Sequence, residues 1–150
     1  ALAIVAILAM ITVPSIQDRL VREQVVEAAK LASDVVKGPI ADYWRVTNEM
    51  PADNAEAHVP AADKIVGNFV SAITVEGGAI HITFGNNANG AINGHTLTLR
   101  PAVVPDTPTV PPAWVCAAGG KVPDKMEVQG KDRADIENRF LTVNCRRLAG

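Results

Sequence analysis

The first sixteen residues hold only Thr12, Pro14 and Ser15 as interruptions to an apolar run, and no charge occurs before Asp18. The residues ahead of Pro14 make about 20 Å of helix at ~1.5 Å per residue, short of the roughly 30 Å hydrocarbon core of a bilayer. The stretch also lacks the basic start and initiator Met of a secretory signal. We expect a chain that starts mid-helix, in which about eight further apolar residues ahead of Ala1 would complete a membrane span. The alternative is a core helix buried inside a soluble protein.

Beyond Pro14 the pattern becomes amphipathic. Val21, Val25, Ala28, Ala32, Val35 and Val36 recur at helical spacing, while Arg22, Glu23, Glu27, Lys30, Asp34 and Lys37 take the other side. One face packs and the other is solvated, and the near balance of charges marks structure, not a site. Pro39 lacks an N–H and clashes with the carbonyl of Val35, which predicts a kink or break around Gly38-Pro39, with helix resuming through Trp44 before Asn48.

Residues 48–64 show no period and carry Met50-Pro51, Asp53-Asn54 and Val59-Pro60, the signature of a long loop. The period then switches to two. Phe69, Ser71, Ile73 and Val75 alternate with Asn68, Val70, Ala72 and Thr74, Gly77-Gly78 supplies a turn, and Ile80, Ile82 and Phe84 alternate with His81 and Thr83. A turn region from Gly85 to Gly94 leads to a third strand over His95 to Arg100. Five of the ten prolines lie between Pro101 and Pro112, a stretch expected to be an extended, stiff connection and not a central strand. A fourth strand is expected at Ala113 to Cys116. The fold class is therefore α+β: a long N-terminal helix packed on an antiparallel four-stranded meander sheet. The expected organisation is an apolar half-helix over 1–17 and a globular head over 18–150, the latter divided into helix 18–47, loop 48–66, sheet 67–116 and a cysteine-bounded region 116–145.

Composition narrows the function. The protein has 150 residues, 48% hydrophobic, and a net charge of −2, which excludes disorder, collagen-like repeats and a strongly basic nucleic-acid binder. Cys116 and Cys145 enclose a segment with Gly119-Gly120, Pro123 and Gly130, a poor stretch for a self-sustaining core. A disulfide there would contribute roughly 3–4 kcal/mol, and two free thiols are the alternative. An oxidising compartment fits both the cysteines and the apolar start. No metal and no cofactor is expected: two cysteines do not make a zinc site, and no glycine-rich phosphate loop is present. His58, His81 and His95 are far apart, with His81 expected on the solvent face of its strand, and none of Ser15, Ser33 and Ser71 sits in a nucleophile elbow, so an enzyme is not expected.

The residues are similar to those of a known family. Type IV pilins share an apolar helix rich in Ala, Ile and Leu that runs to a Pro followed by a Gln-Asp pair, and Ala1 to Val13, Pro14 and Gln17-Asp18 resemble that segment. Arg22, Gln24-Val25 and Glu27-Ala28 continue it. Ile65-Val66-Gly67, Val70 to Gly78, Leu97 to Pro101, Trp114-x-Cys116 and Cys145-Arg146 resemble the sheet and the disulfide-bounded C-terminal region of Gram-negative major pilins. The family's mature chains begin with an N-methylated residue and carry a Glu at the fifth position. By this resemblance the present sequence starts downstream of both.

The resemblance implies a structural subunit that moves from the inner membrane, facing the periplasm, into an extracellular helical homopolymer with the help of pilus assembly machinery. It would serve surface attachment, to host or abiotic material, and retraction-driven motility. The filament-core residues would be Ala1, Leu2, Ala3, Ile4, Val5, Ala6, Ile7, Leu8, Ala9, Met10, Ile11, Val13 and Pro14, the alanines allowing close helix approach. Two alternatives stand beside it: a minor pilin that binds DNA during uptake, and a type II secretion pseudopilin. For the first, the segment from Cys116 onward carries a local charge of +2 against −4 for the remainder. Its candidate DNA or anion contacts are Lys131, Arg133, Arg139, Arg146 and Arg147.

Overall fold

A computed structural model describes residues 2–116 and 119–146, with side chains from Ile16 onward. Helix α1 (Leu2–Ala32) passes through a π turn (Ser33–Lys37) into α2 (Gly38–Thr47). Of the kink or break predicted around Gly38-Pro39, no break occurs: the helix runs on through both residues. The helix instead widens over the turn immediately before Pro39, which relieves the clash of the pyrrolidine ring with the preceding turn without ending the helix. The extra residue in that turn also resets the helical phase, so that Val21, Val25, Ala28, Ala32, Val36, Ile40 and Trp44 are all buried along one line. Asn48 ends the helix in the left-handed conformation, φ 57°, and its N–H returns to the Trp44 carbonyl at 2.9 Å.

The sheet is a meander of β1 (Val70–Glu76), β2 (Ala79–Phe84), β3 (Thr96–Val103) and β4 (Ala113–Cys116), all antiparallel and in sequence order. A two-residue β5 (Glu127–Val128) pairs with Ala102 and Val103 of β3. Because β4 already holds one edge of Ala102, β5 takes the other, beyond the end of β2. The proline-rich segment therefore begins inside a strand: β3 continues through Pro101, whose carbonyl accepts the Gln129 N–H at 2.8 Å. Pro101 needs no β2 partner, because the pairing with β2 ends at Leu99.

Strict alternation would bury Phe69 and Ser71 with Ile73 and Val75. The structure buries Val70 instead. The register runs Val70↔Phe84 and then Ala72↔Thr83, so Ser71 is the extra residue of a bulge that shifts the phase by one. Gly85 makes this possible, since a Cβ there would lie 2.6 Å from that of Ser71.

The buried helix line meets Ile73, Val75, Ile80, Ile82, Phe84, Leu97 and Leu99 in one core, joined by Ile136, Phe140 and Leu141 from the C-terminal segment. The loop after the helix is stitched to the sheet by Asn54. Its Nδ2 donates to the carbonyls of Pro60 and Ile73, each at 2.9 Å, and its Oδ1 accepts the Val75 N–H at 2.7 Å. The carboxamide thus stands in for a neighbouring strand along the outer edge of β1.

Candidate functional site

Cys116 and Cys145 are joined, with their Cα atoms 4.8 Å apart. The bond ties the end of β4 to the short turn Val143–Cys145, and it settles the question the sequence left open between a disulfide and two thiols. Nearby, the Lys37 ammonium lies 5.5 Å over the ring of Trp114, linking the helix to β4. Burial pushes the Lys37 amine below its ordinary value.

The second face of the sheet is solvated only in part: Thr74 is exposed, whereas His81 and Thr98 are buried. His81 is only 5% exposed, a correction to the expectation that it faces water. It does point away from Ile80 and Ile82, but the segment around Arg133 covers it. A closed ring of hydrogen bonds results. The Arg133 N–H donates to Thr98 Oγ1 at 3.0 Å, Thr98 Oγ1 lies 2.8 Å from His81 Nδ1, His81 Nε2 lies 3.3 Å from Glu76 Oε1, and Glu76 accepts both Nε and Nη2 of Arg133 at 2.8 and 2.9 Å. A neutral imidazole with its proton on Nε2 satisfies every member. Burial holds the His81 imidazole below its ordinary value, against the opposing pull of Glu76. The Arg133 guanidinium brings the Glu76 carboxyl down to about 2. A second anchor follows directly, where Asp135 accepts the Thr96 N–H at 2.6 Å and lies 3.2 Å from His95 Nδ1.

Of the candidate anion contacts, Arg133, Arg139 and Arg146 are each engaged by another group of the protein. Lys131 is exposed, and Arg133 is committed to Glu76. Arg139 pairs with Glu137 at 2.9 Å, approaches Asp18 at 3.9 Å and stacks 4.5 Å over Phe140. Arg146 is half-buried and donates to the Leu141 carbonyl at 2.9 Å. Arg147 lies outside the described residues. Among the described residues, no group of three or more His, Cys, Asp or Glu side chains is placed to hold a metal.

Of the expected filament-core residues, Ala1 lies outside the described residues. Leu2 to Pro14 belong to the backbone of α1, with their side chains outside the description. Among the described residues no helix is long and apolar enough to cross a membrane. Where side chains begin, Ile16, Leu20 and Val26 are each half exposed on the helix surface that the sheet does not cover. Sequence reasoning missed the roles of Asn54, His81 and Thr98. Asparagine after Asp53 signals a turn, and nothing local marks it as a staple to a strand nineteen residues on.

The sequence model of the pilins, bacterial filament proteins, matches residues 21–146. The chain belongs to the pilin family. Among curated relatives, this pilin is 35% identical to a fimbrial protein of Neisseria meningitidis serogroup A, over 99% of this sequence and 89% of the relative. It is 31% identical to the type IV major pilin protein PilE1 of Neisseria gonorrhoeae, over 99% of this sequence and 82% of that one. A second gonococcal protein, the type IV major pilin protein PilE, is 36% identical over 65% of this sequence and 59% of its own length. The α+β architecture and the Cys116–Cys145 disulfide of this pilin match the expectations drawn from its sequence.

Proposed function

We propose that this pilin is the major structural subunit of a type IV pilus, polymerising with identical copies into an extracellular filament that serves surface attachment and retraction-driven motility. The observation that carries this reading is the asymmetry of one helix. From Val21 to Trp44 a buried line is consumed by the subunit's own core. Ahead of Asp18 the same helix has an uncharged, almost wholly apolar sequence. Apolar area of that kind is stabilised by about 25 cal/mol per Å² when removed from water, and a heterologous contact repeated along a screw axis extends without closing.

In this reading residues 1–14 pass from an inner-membrane pool facing the periplasm into a bundle of identical helices, and assembly machinery supplies the work. The relatives' names, fimbrial protein and major pilin, support the major-subunit role. A DNA-binding minor pilin is less well supported, because Arg133 and Arg139 already hold carboxylates.

The test is cryo-electron microscopy of filaments sheared from producing cells. Density that fits this sequence throughout, with Leu2 to Val13 central, is the expected result. Filaments built from another protein would overturn the major-subunit reading.

A further inference from the structure

The turn region between β2 and β3 contains two Asn-Gly pairs, Asn89-Gly90 and Asn93-Gly94, all four residues exposed. Such a pair can cyclise when the glycine nitrogen attacks the asparagine side-chain carbonyl, because glycine leaves that approach unhindered. The structure places the two pairs in opposite situations. The Gly94 N–H donates to the Phe84 carbonyl at 2.8 Å, continuing the ladder at the end of β2, so its nitrogen is held in the sheet framework. The Asn93 carboxamide has no hydrogen bond among the described residues to orient it. At the other pair, the Gly90 N–H has no acceptor among the described residues, while Asn89 Oδ1 accepts the Ala91 N–H at 2.9 Å. That bond folds the carboxamide back over its own backbone, closing a ring that includes the Gly90 nitrogen. It also places a donor on the oxygen where negative charge develops during attack.

We propose that Asn89 is a site of spontaneous, structure-promoted deamidation and that Asn93 is protected. The Gly90 nitrogen loses its proton to solvent and bonds to Asn89 Cγ, and the bond between Cγ and Nδ2 breaks, Nδ2 leaving as ammonia with a proton from water. Water then opens the succinimide at either carbonyl, giving aspartate or isoaspartate. No oxidant or enzyme is required.

The product has consequences for the fold. The Asn89 carbonyl accepts the N–H groups of Ile92 and Asn93 at 3.0 and 2.9 Å, and the Asn89 N–H donates to Gln24 Oε1 at 2.8 Å. Isoaspartate lengthens the backbone within this turn, which seats the fully buried Ile92 and touches the helix. An added negative charge appears at the same point.

The experiment is peptide mapping by mass spectrometry of the folded full-length protein, incubated at near-neutral pH and growth temperature, beside a sample held in denaturant. Unfolded, the two pairs should convert at similar rates. Folded, Asn89 should convert at least about tenfold faster than Asn93, a difference of ~1.4 kcal/mol in barrier. Gly90→Ala should suppress conversion at Asn89 while leaving the fold intact, since a Cβ there meets nothing within 4 Å. Conversion at Asn93 equal to or faster than at Asn89, or an Asn89 that stays intact in the folded protein while it converts in denaturant, would overturn the proposal.

Discussion

Arg133 grips Glu76 with two parallel hydrogen bonds, 2.8 and 2.9 Å long, across a sequence separation of 57 residues. The pair closes the C-terminal segment over β1 and β2, and the planar guanidinium fork is what allows both carboxylate oxygens to be held at once. Both side chains are about half exposed, so their contribution is to local order more than to global stability. Arg133→Ala should therefore speed amide hydrogen exchange over residues 131–135 and at Thr98, with only a small fall in melting temperature. Arg133→Lys should restore little of the protection, because an ammonium cannot form the fork. Unchanged exchange in both variants would show that the segment is held by its other anchor, Asp135.

The ring around His81 makes a pH prediction with a definite sign. Its imidazole is buried and titrates below the ordinary 6.5, so the unfolded state binds more protons than the folded one as pH falls through that value. Stability should decline as pH drops below about 6.5, continuing to the folded-state value. Glu76, Arg133 and Asp132 face the ring, and the two carboxylates soften the decline without reversing it. Glu76 adds a separate acid limb. Its stabilisation is present above the ordinary 4.5 and is lost as pH falls towards about 2. Melting curves between about pH 7 and pH 5 should slope downward for the native protein and flatten for His81→Gln.

Asn54 spends its whole carboxamide on backbone groups, two of them on the edge strand β1. Asn54→Ala leaves the Val75 N–H and the Ile73 carbonyl unpaired at a buried position, which should cost about 2–4 kcal/mol. Urea unfolding is the check, with the midpoint lowered and the slope unchanged. Asn54→Asp should also destabilise, since a carboxylate cannot donate to the carbonyls of Pro60 and Ile73.

Reducing Cys116–Cys145 frees a loop with a sequence separation of 29. In the chain-entropy account this removes roughly 3–4 kcal/mol, and the same loss is expected for the Cys116→Ser, Cys145→Ser double variant. Unfolding midpoints with and without reductant should differ accordingly, while the helix signal of the native state persists, because the buried line from Val21 to Trp44 does not depend on the disulfide.

What could be read along the sequence and what could not divide on physical grounds. Local periodicity reports which residues share a face, so the buried helix line, the antiparallel hairpin turned by Gly77-Gly78, the short strand Ala113–Cys116 and the pilin-like apolar start were all legible there. Periodicity cannot report an inserted residue. The bulge at Ser71 moved Val70 into the core, and the π turn let Pro39 sit inside a helix instead of ending it. Nor can it say whether the opposite face of a strand meets water. His81 alternates with Ile80 and Ile82 as expected, yet it is buried because Arg133, far away in sequence, is brought over it by a bidentate pair and a shared threonine. Apart from the bulge and the π turn, the main elements and their packing faces were already set by the order of residues, since both follow from side-chain spacing within a few positions. Which polar groups are enclosed was left to the folded molecule, because a buried hydrogen bond depends on partners that only folding brings within about 3 Å of one another.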